Sequence, residues 1–262
     1  MKWIVSLAFL FTTLTCWSVE ELVTSAKFAD GESIPYLLTT NTSKPKLAFI
    51  IMPGGSGDMH LRLDSSGTVS FEFGGNFLIR SRNLFASNDA IVISTDSSGD
   101  PDRMLGIVDD VHHRYGNIPI YIVGTSRSTL ATMRLANKLD SKVAGFVHTS
   151  SMSQIDWFDT RELKSRQLIV HHIDDGCRLT PYRSAKSSSV SYGTQLITME
   201  GGQASGDPCQ AFGYHGYNGI EAETVTQIRN WAYQKWSKSC FWLPLKSNRQ
   251  TLTESGILSR QQ

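Results

Sequence analysis

The chain carries two hydrophobic rhythms in alternation. Continuous apolar runs of strand length occur at Lys46 to Met52, Ala90 to Thr95, Ile118 to Val123, Val143 to His148, Gln167 to His171 and Thr194 to Met199. Runs without polar alternation suit strands that are covered on both faces. Between them, apolar residues recur every three or four positions. Leu105, Val108 and Val111 do so within Met104 to Tyr115; Leu130, Met133 and Ala136 within Thr129 to Leu139; and Val225, Ile228, Ala232 and Trp236 within Ile220 to Trp236. Each stretch predicts an amphipathic helix. The alternation predicts an α/β fold, a mostly parallel twisted sheet with right-handed crossovers and helices on both faces. In such sheets the functional groups sit on loops beyond the carboxyl ends of the strands. Upstream, Leu22 to Leu38 reads as a hairpin, with β-formers on either side of Asp30-Gly31.

At the amino terminus, Lys2 precedes the apolar run Trp3 to Phe11, and Cys16-Trp17-Ser18 offers small residues to a signal peptidase. This predicts a secretory signal over residues 1–18, and export to the periplasm or the medium. A spanning helix needs roughly 20 apolar residues, so stable membrane insertion is not expected after cleavage. One α/β domain over 19–242 and a polar tail over 243–262 complete the expected organisation. The mature chain keeps Cys177, Cys209 and Cys240, which in an oxidising compartment make one pair and one remainder.

Composition adds exclusions. With 262 residues, 40% of them hydrophobic, the chain can bury a large single core. Lys plus Arg total 25 against 24 for Asp plus Glu, which gives no basic surplus for a nucleic-acid partner and no acidic surplus for disorder. His112 and His113 fall in a helix and His148 and His171 on strands, without the H-E-x-x-H spacing of a zinc hydrolase. No metal and no cofactor are expected, and oligomeric state has no signature.

The most informative stretch is Ile118 to Ala131: a buried strand, the turn Gly124-Thr125-Ser126-Arg127-Ser128, then a helix. A serine on a sharp turn between strand and helix needs small flanking residues, here Gly124 and Ser128. A helix cap is the plain alternative for Ser126. The turn resembles the G-x-S-x-G nucleophile elbow of the α/β-hydrolase superfamily, departing from it at Ser128. That superfamily orders its triad as serine, acid, histidine. After the strand ending at His171 comes His172-Ile173-Asp174-Asp175-Gly176-Cys177, similar to the H-G-x-x-D acid loop of dienelactone-hydrolase-like members, which puts the acid at Asp175. Asp174 and Asp156 are the rivals. After the last strand, Gly213-Tyr214-His215-Gly216 leads into the final helix, where the resemblance implies the histidine at His215.

The resemblance also implies an oxyanion loop after the strand ending at Met52, in Pro53-Gly54-Gly55-Ser56-Gly57, with donors at the amides of Gly55 or Ser56 and of Arg127. A nucleotide loop would need Gly-Lys-Ser/Thr, which is absent. With the triad so assigned, a Cys177 to Cys209 disulfide would join the acid loop to the histidine loop. Aromatic residues Phe71, Phe73, Phe77, Trp157 and Phe158 stand in segments expected to form the mouth. The function implied is an exported serine hydrolase acting on a small-molecule acyl substrate, a carboxylic ester foremost. A peptidase or thioesterase would use the same triad, and a catalytically silent binding protein is the reading outside enzymes.

Overall fold

The computed structural model describes residues 19–66 and 68–234. The secretory signal expected over 1–18, Cys240 and the tail expected over 243–262 lie outside the described residues. In chain order the elements are β1 (Glu20–Lys27), β2 (Ser33–Thr40), β3 (Leu47–Met52), the short pair β4 (Arg62–Leu63) and β5 (Val69–Ser70), α1 (Phe77–Arg80), α2 (Arg82–Phe85) and β6 (Ala90–Ser94). Then follow α3 (Pro101–Tyr115), β7 (Ile120–Thr125), α4 (Thr129–Lys138), β8 (Gly145–Thr149), β9 (Arg166–His172), α5 (Tyr182–Tyr192), β10 (Gln195–Met199) and α6 (Glu221–Tyr233).

Eight strands form one sheet in the order β1-β2-β6-β3-β7-β8-β9-β10. The hairpin β1-β2 and the β2-β6 pair are antiparallel, and every pairing from β6 to β10 is parallel. The side-chain period of two explains why the central runs are wholly apolar. In β3, Ala48, Ile50 and Met52 face a core shared with α3 and α4, while Leu47, Phe49 and Ile51 face a second core shared with α1, α2 and α6. All six residues are buried, so no position on the strand is left for a polar side chain.

Two differences from the sequence reading have local causes. The run expected over Ile118 to Val123 is a strand over Ile120–Thr125, because Pro119 has no N–H to give to the ladder, while Gly124 and Thr125 pair onward with His148 and Thr149. The extension brings the strand up to Ser126. Helix α5 had no sequence signal: its buried positions are Ser184, Ala185 and Ser188, so the face against the sheet is small and polar rather than an apolar stripe. No helix among the described residues is long and apolar enough to cross a membrane.

Buried His148 on β8 gives the fold an acid-sensitive point. Its ring nitrogens contact Thr132 Oγ1 at 2.7 Å and Gln167 Oε1 at 3.1 Å. Burial lowers its pKa from 6.5 to about 4, against a smaller upward pull from Gln167. The unfolded chain therefore takes up this proton first as pH falls, and stability is lost between about pH 6.5 and pH 4. At 1.36 kcal/mol per pKa unit, the loss attributable to this residue is on the order of 3 kcal/mol. Denaturant unfolding across that window should show the decline, and His148→Gln should flatten it. A parallel decline in the mutant would remove His148 as the cause.

Candidate active site

Ser126 begins a single helical turn, Ser126–Ser128, directly off the end of β7. Its φ is 54°, a left-handed conformation that a serine holds at a cost of about 1–3 kcal/mol. The surroundings enforce it. A Cβ on Gly124 would lie 2.8 Å from both the Ser128 carbonyl oxygen and Thr132 Cγ2, so strand and helix meet only across a glycine. Serine at position 128 is accommodated because its buried hydroxyl is used: Oγ accepts the Thr125 N–H at 2.7 Å and faces the carbonyls of Met52 at 3.0 Å and Thr125 at 2.9 Å. The departure from glycine thus ties the turn to β3.

His215 lies in the turn Tyr214–Gly216, and its Nδ1 is 3.0 Å from Asp175 Oδ2. The Asp175 side chain is fully buried. Besides His215, that oxygen accepts from Thr180 Oγ1 at 3.0 Å and from His171 Nε2 at 3.2 Å, while Oδ1 accepts the Cys177 N–H at 3.0 Å. Burial pushes this carboxyl's pKa up, but the hydrogen bonds from His171 and His215, the charge of His215 and the Cys177 amide prevail and hold it well below the usual carboxylate range. The His215 carbonyl accepts from Ser150 Oγ at 2.6 Å, and the Tyr217 hydroxyl donates to Val170 O at 2.7 Å, so the histidine loop is moored to the ends of β8 and β9.

Ser126 and His215 share the wall of one cavity of about 640 Å³. With Nδ1 engaged by Asp175, Nε2 is the histidine atom left to meet a hydroxyl. Such contacts tend to be long in ligand-free sites and tighten around substrate. Gly54, Gly55 and Arg127 line the same cavity, as do Phe73, Leu130, Met152, Leu179, Phe212 and both cysteines of the Cys177–Cys209 disulfide. A Cβ on Gly54 would stand 3.0 Å from Ser126 Cβ, so glycine is what lets this loop approach the serine. The Arg127 N–H belongs to the first turn of a helix, where amides lack intrahelical acceptors.

No protein-family model matches the sequence, and no curated protein matches it. Solved structures do. An α/β serine hydrolase without a lid from Xanthomonas campestris superposes with a TM-score of 0.53 at 10% identity, over 83% of this chain and 97% of its own. A cold-adapted esterase from an Arctic intertidal metagenomic library gives 0.56 at 11% identity, over 82% and 95%. Dipeptidyl peptidase 4 of Porphyromonas gingivalis gives 0.53 at 10% identity, over 83% of this chain and 36% of the peptidase. The fold is that of the α/β-hydrolases. Since the fold hosts an esterase and a peptidase alike, chemistry has to be argued from side chains.

Within the hydrolase fold, the expected residues separate cleanly. Ser126, His215, Gly55 and Arg127 line the cavity, Asp175 is joined to it through His215 Nδ1, and Cys177 is bonded to Cys209 as the loop assignment implied. Ser56 is exposed and is not part of the cavity wall, which leaves Gly55 as the donor candidate on the glycine loop. Asp174 is exposed, lines a separate cavity of about 130 Å³, and gives its backbone N–H to His172 Nδ1. Asp156 sits in the turn Ser153–Trp157 away from the His215 hydrogen bonds. Of the mouth aromatics, Phe73 and Phe77 line the cavity; Phe71 lies under Arg82, Phe158 packs on His148 and Trp157 is exposed.

Three contributors escaped the sequence reading. His171, read only as a strand residue and as the landmark for the acid loop, touches the carboxylate. Its Nδ1 accepts the Ser151 N–H at 3.3 Å, so Nε2 carries the proton shared between Asp175 and the Thr180 carbonyl. Thr180 and Phe212 complete the acid pocket and the cavity wall. The spacing of four between His171 and Asp175 was the available signal, but nothing local says that a strand residue and a loop residue turn toward each other.

Proposed function

We propose that this protein is an exported serine hydrolase that cleaves a carboxylic ester through Ser126, His215 and Asp175. The observation that carries the reading is the Nδ1 to Oδ2 contact of 3.0 Å between His215 and a buried carboxylate, on the same cavity as a strained serine. Ser126 Oγ attacks the acyl carbon while His215 Nε2 takes its proton, and the carbonyl electron pair moves onto oxygen. Collapse expels the alkoxide, which leaves with the proton from His215. Water then repeats the sequence on the acyl-enzyme. The amides of Gly55 and Arg127 serve the oxyanion; one such donor is worth roughly 3 kcal/mol.

A wall dominated by Phe73, Leu130, Met152, Leu179 and Phe212 favours an apolar acyl group over a peptide, whose backbone would need more fixed polar partners. Export is supported by the charged, apolar and small-residue pattern of the first 18 residues and by the disulfide. The test is labelling of the purified protein with a fluorophosphonate, mapping of the adduct, and a panel of acyl esters, thioesters and peptides. Attachment at Ser126 that is lost in His215→Ala, with turnover of esters, is the expected result. A folded protein that takes no label would return the chain to the binding-protein class.

A further inference from the structure

Asn76 belongs to none of the motifs used so far, yet it lines the Ser126 cavity. It is the N-cap of α1, where its Oδ1 accepts the Leu78 N–H at 3.1 Å. That bond fixes the amide, because the cap requires the acceptor atom on the helix side and so turns Nδ2 away from it. Among the described residues Nδ2 has no hydrogen-bond partner. A Cβ built on Gly54 would lie 3.6 Å from this nitrogen and 3.0 Å from Ser126 Cβ. The unused donor and the carbon bearing the nucleophile therefore flank one point of the glycine loop.

The donor is also held in place before any ligand arrives. The Asn76 N–H donates to Phe73 O at 2.8 Å, and its carbonyl accepts from Arg80 N at 2.9 Å. The Arg80 guanidinium donates to Gly75 O at 2.7 Å, to Gly216 O at 2.6 Å and to Glu221 Oε1 at 2.9 Å. One side chain thus locks the Asn76 turn to the loop that carries His215.

We propose that Asn76 is a further catalytic residue, its Nδ2–H donating to the substrate carbonyl oxygen as charge develops there, beside the Gly55 and Arg127 amides. The inference rests on the acyl-transfer reading of the site. When Ser126 Oγ bonds to the carbonyl carbon, the C=O electron pair moves onto the oxygen and the seryl proton moves to His215. Asn76 transfers no proton; it offers a neutral donor that needs no reorientation during reaction.

Asn76→Asp and Asn76→Ser both keep an oxygen for the Leu78 N–H, so the cap survives while Nδ2–H is removed: the aspartate offers no donor in its place, and the serine only the hydroxyl of a shorter side chain. With a short-chain acyl ester, kcat is expected to fall about 10²- to 10³-fold in Asn76→Asp and about 10- to 100-fold in Asn76→Ser, with KM within about threefold. Melting temperature should hold, and affinity for a trifluoromethyl ketone should fall in step with kcat. Should the aspartate variant not fold, the serine variant decides. A folded variant with kcat within twofold of wild type overturns the assignment, as does a loss of kcat that tracks a loss of melting temperature with inhibitor affinity unchanged. Wild type that neither hydrolyses esters nor takes a fluorophosphonate would end the acyl-transfer reading and this inference together; an active, labelled wild type with unaffected variants ends this inference alone.

Discussion

Replacement of Asp175 by Asn is expected to lower kcat by about four orders of magnitude while KM changes little. The reason lies in the four donors around the carboxylate. His215 Nδ1, Thr180 Oγ1 and His171 Nε2 address Oδ2, and the Cys177 N–H addresses Oδ1. An amide has one acceptor oxygen to place. With that oxygen toward Cys177, its NH₂ faces His215 and requires an unprotonated Nδ1, so the ring's proton sits on Nε2 and cannot accept another from Ser126. With the oxygen toward His215, two N–H groups meet at Cys177, and the negative charge that stabilises an imidazolium is still gone. Either arrangement leaves buried donors unpaired, which costs about 1–3 kcal/mol each. Steady-state kinetics beside a thermal melt measure both effects. A variant retaining a tenth of wild-type kcat would exclude Asp175 as the acid.

The second large effect is expected on the disulfide. Cys177 is buried two residues beyond Asp175, Cys209 lies on the approach to His215, and both face the cavity. Their bond closes a sequence separation of 32 residues. In the chain-entropy view a loop of that size contributes about 3–4 kcal/mol. For a chain of this length the double substitution Cys177→Ser with Cys209→Ser should lower the melting temperature on the order of 10 °C. Activity below the transition should fall as well, because the Cys177 N–H fixes Asp175 Oδ1. Calorimetry and kcat on the double mutant check this; unchanged melting and turnover would falsify the loop-tying role.

These expectations hang on two kinds of information. The sequence by itself determined the central sheet, since β3, β6, β7, β8 and β9 are covered on both faces and burial leaves an unbroken apolar run that needs no partner to be seen. It also determined the elbow, because Gly124, Ser126 and Ser128 answer a steric demand made within five residues of chain. It did not reveal α5, whose sheet-facing serines carry no hydrophobic period.

The resemblance put the acid at Asp175 with Asp174 as its rival, and which of the two side chains turns inward was a matter for tertiary structure. The two are adjacent and chemically identical, and only the positions of His171, Thr180 and the Cys177 amide turn one inward while the other reaches solvent. Asn76 and Phe212 likewise join the cavity through contacts made by Arg80 and by the histidine loop, more than a hundred residues apart along the chain. Local pattern records what a residue's own neighbours require of it. A site assembled from distant segments is fixed by packing that no short window of sequence contains.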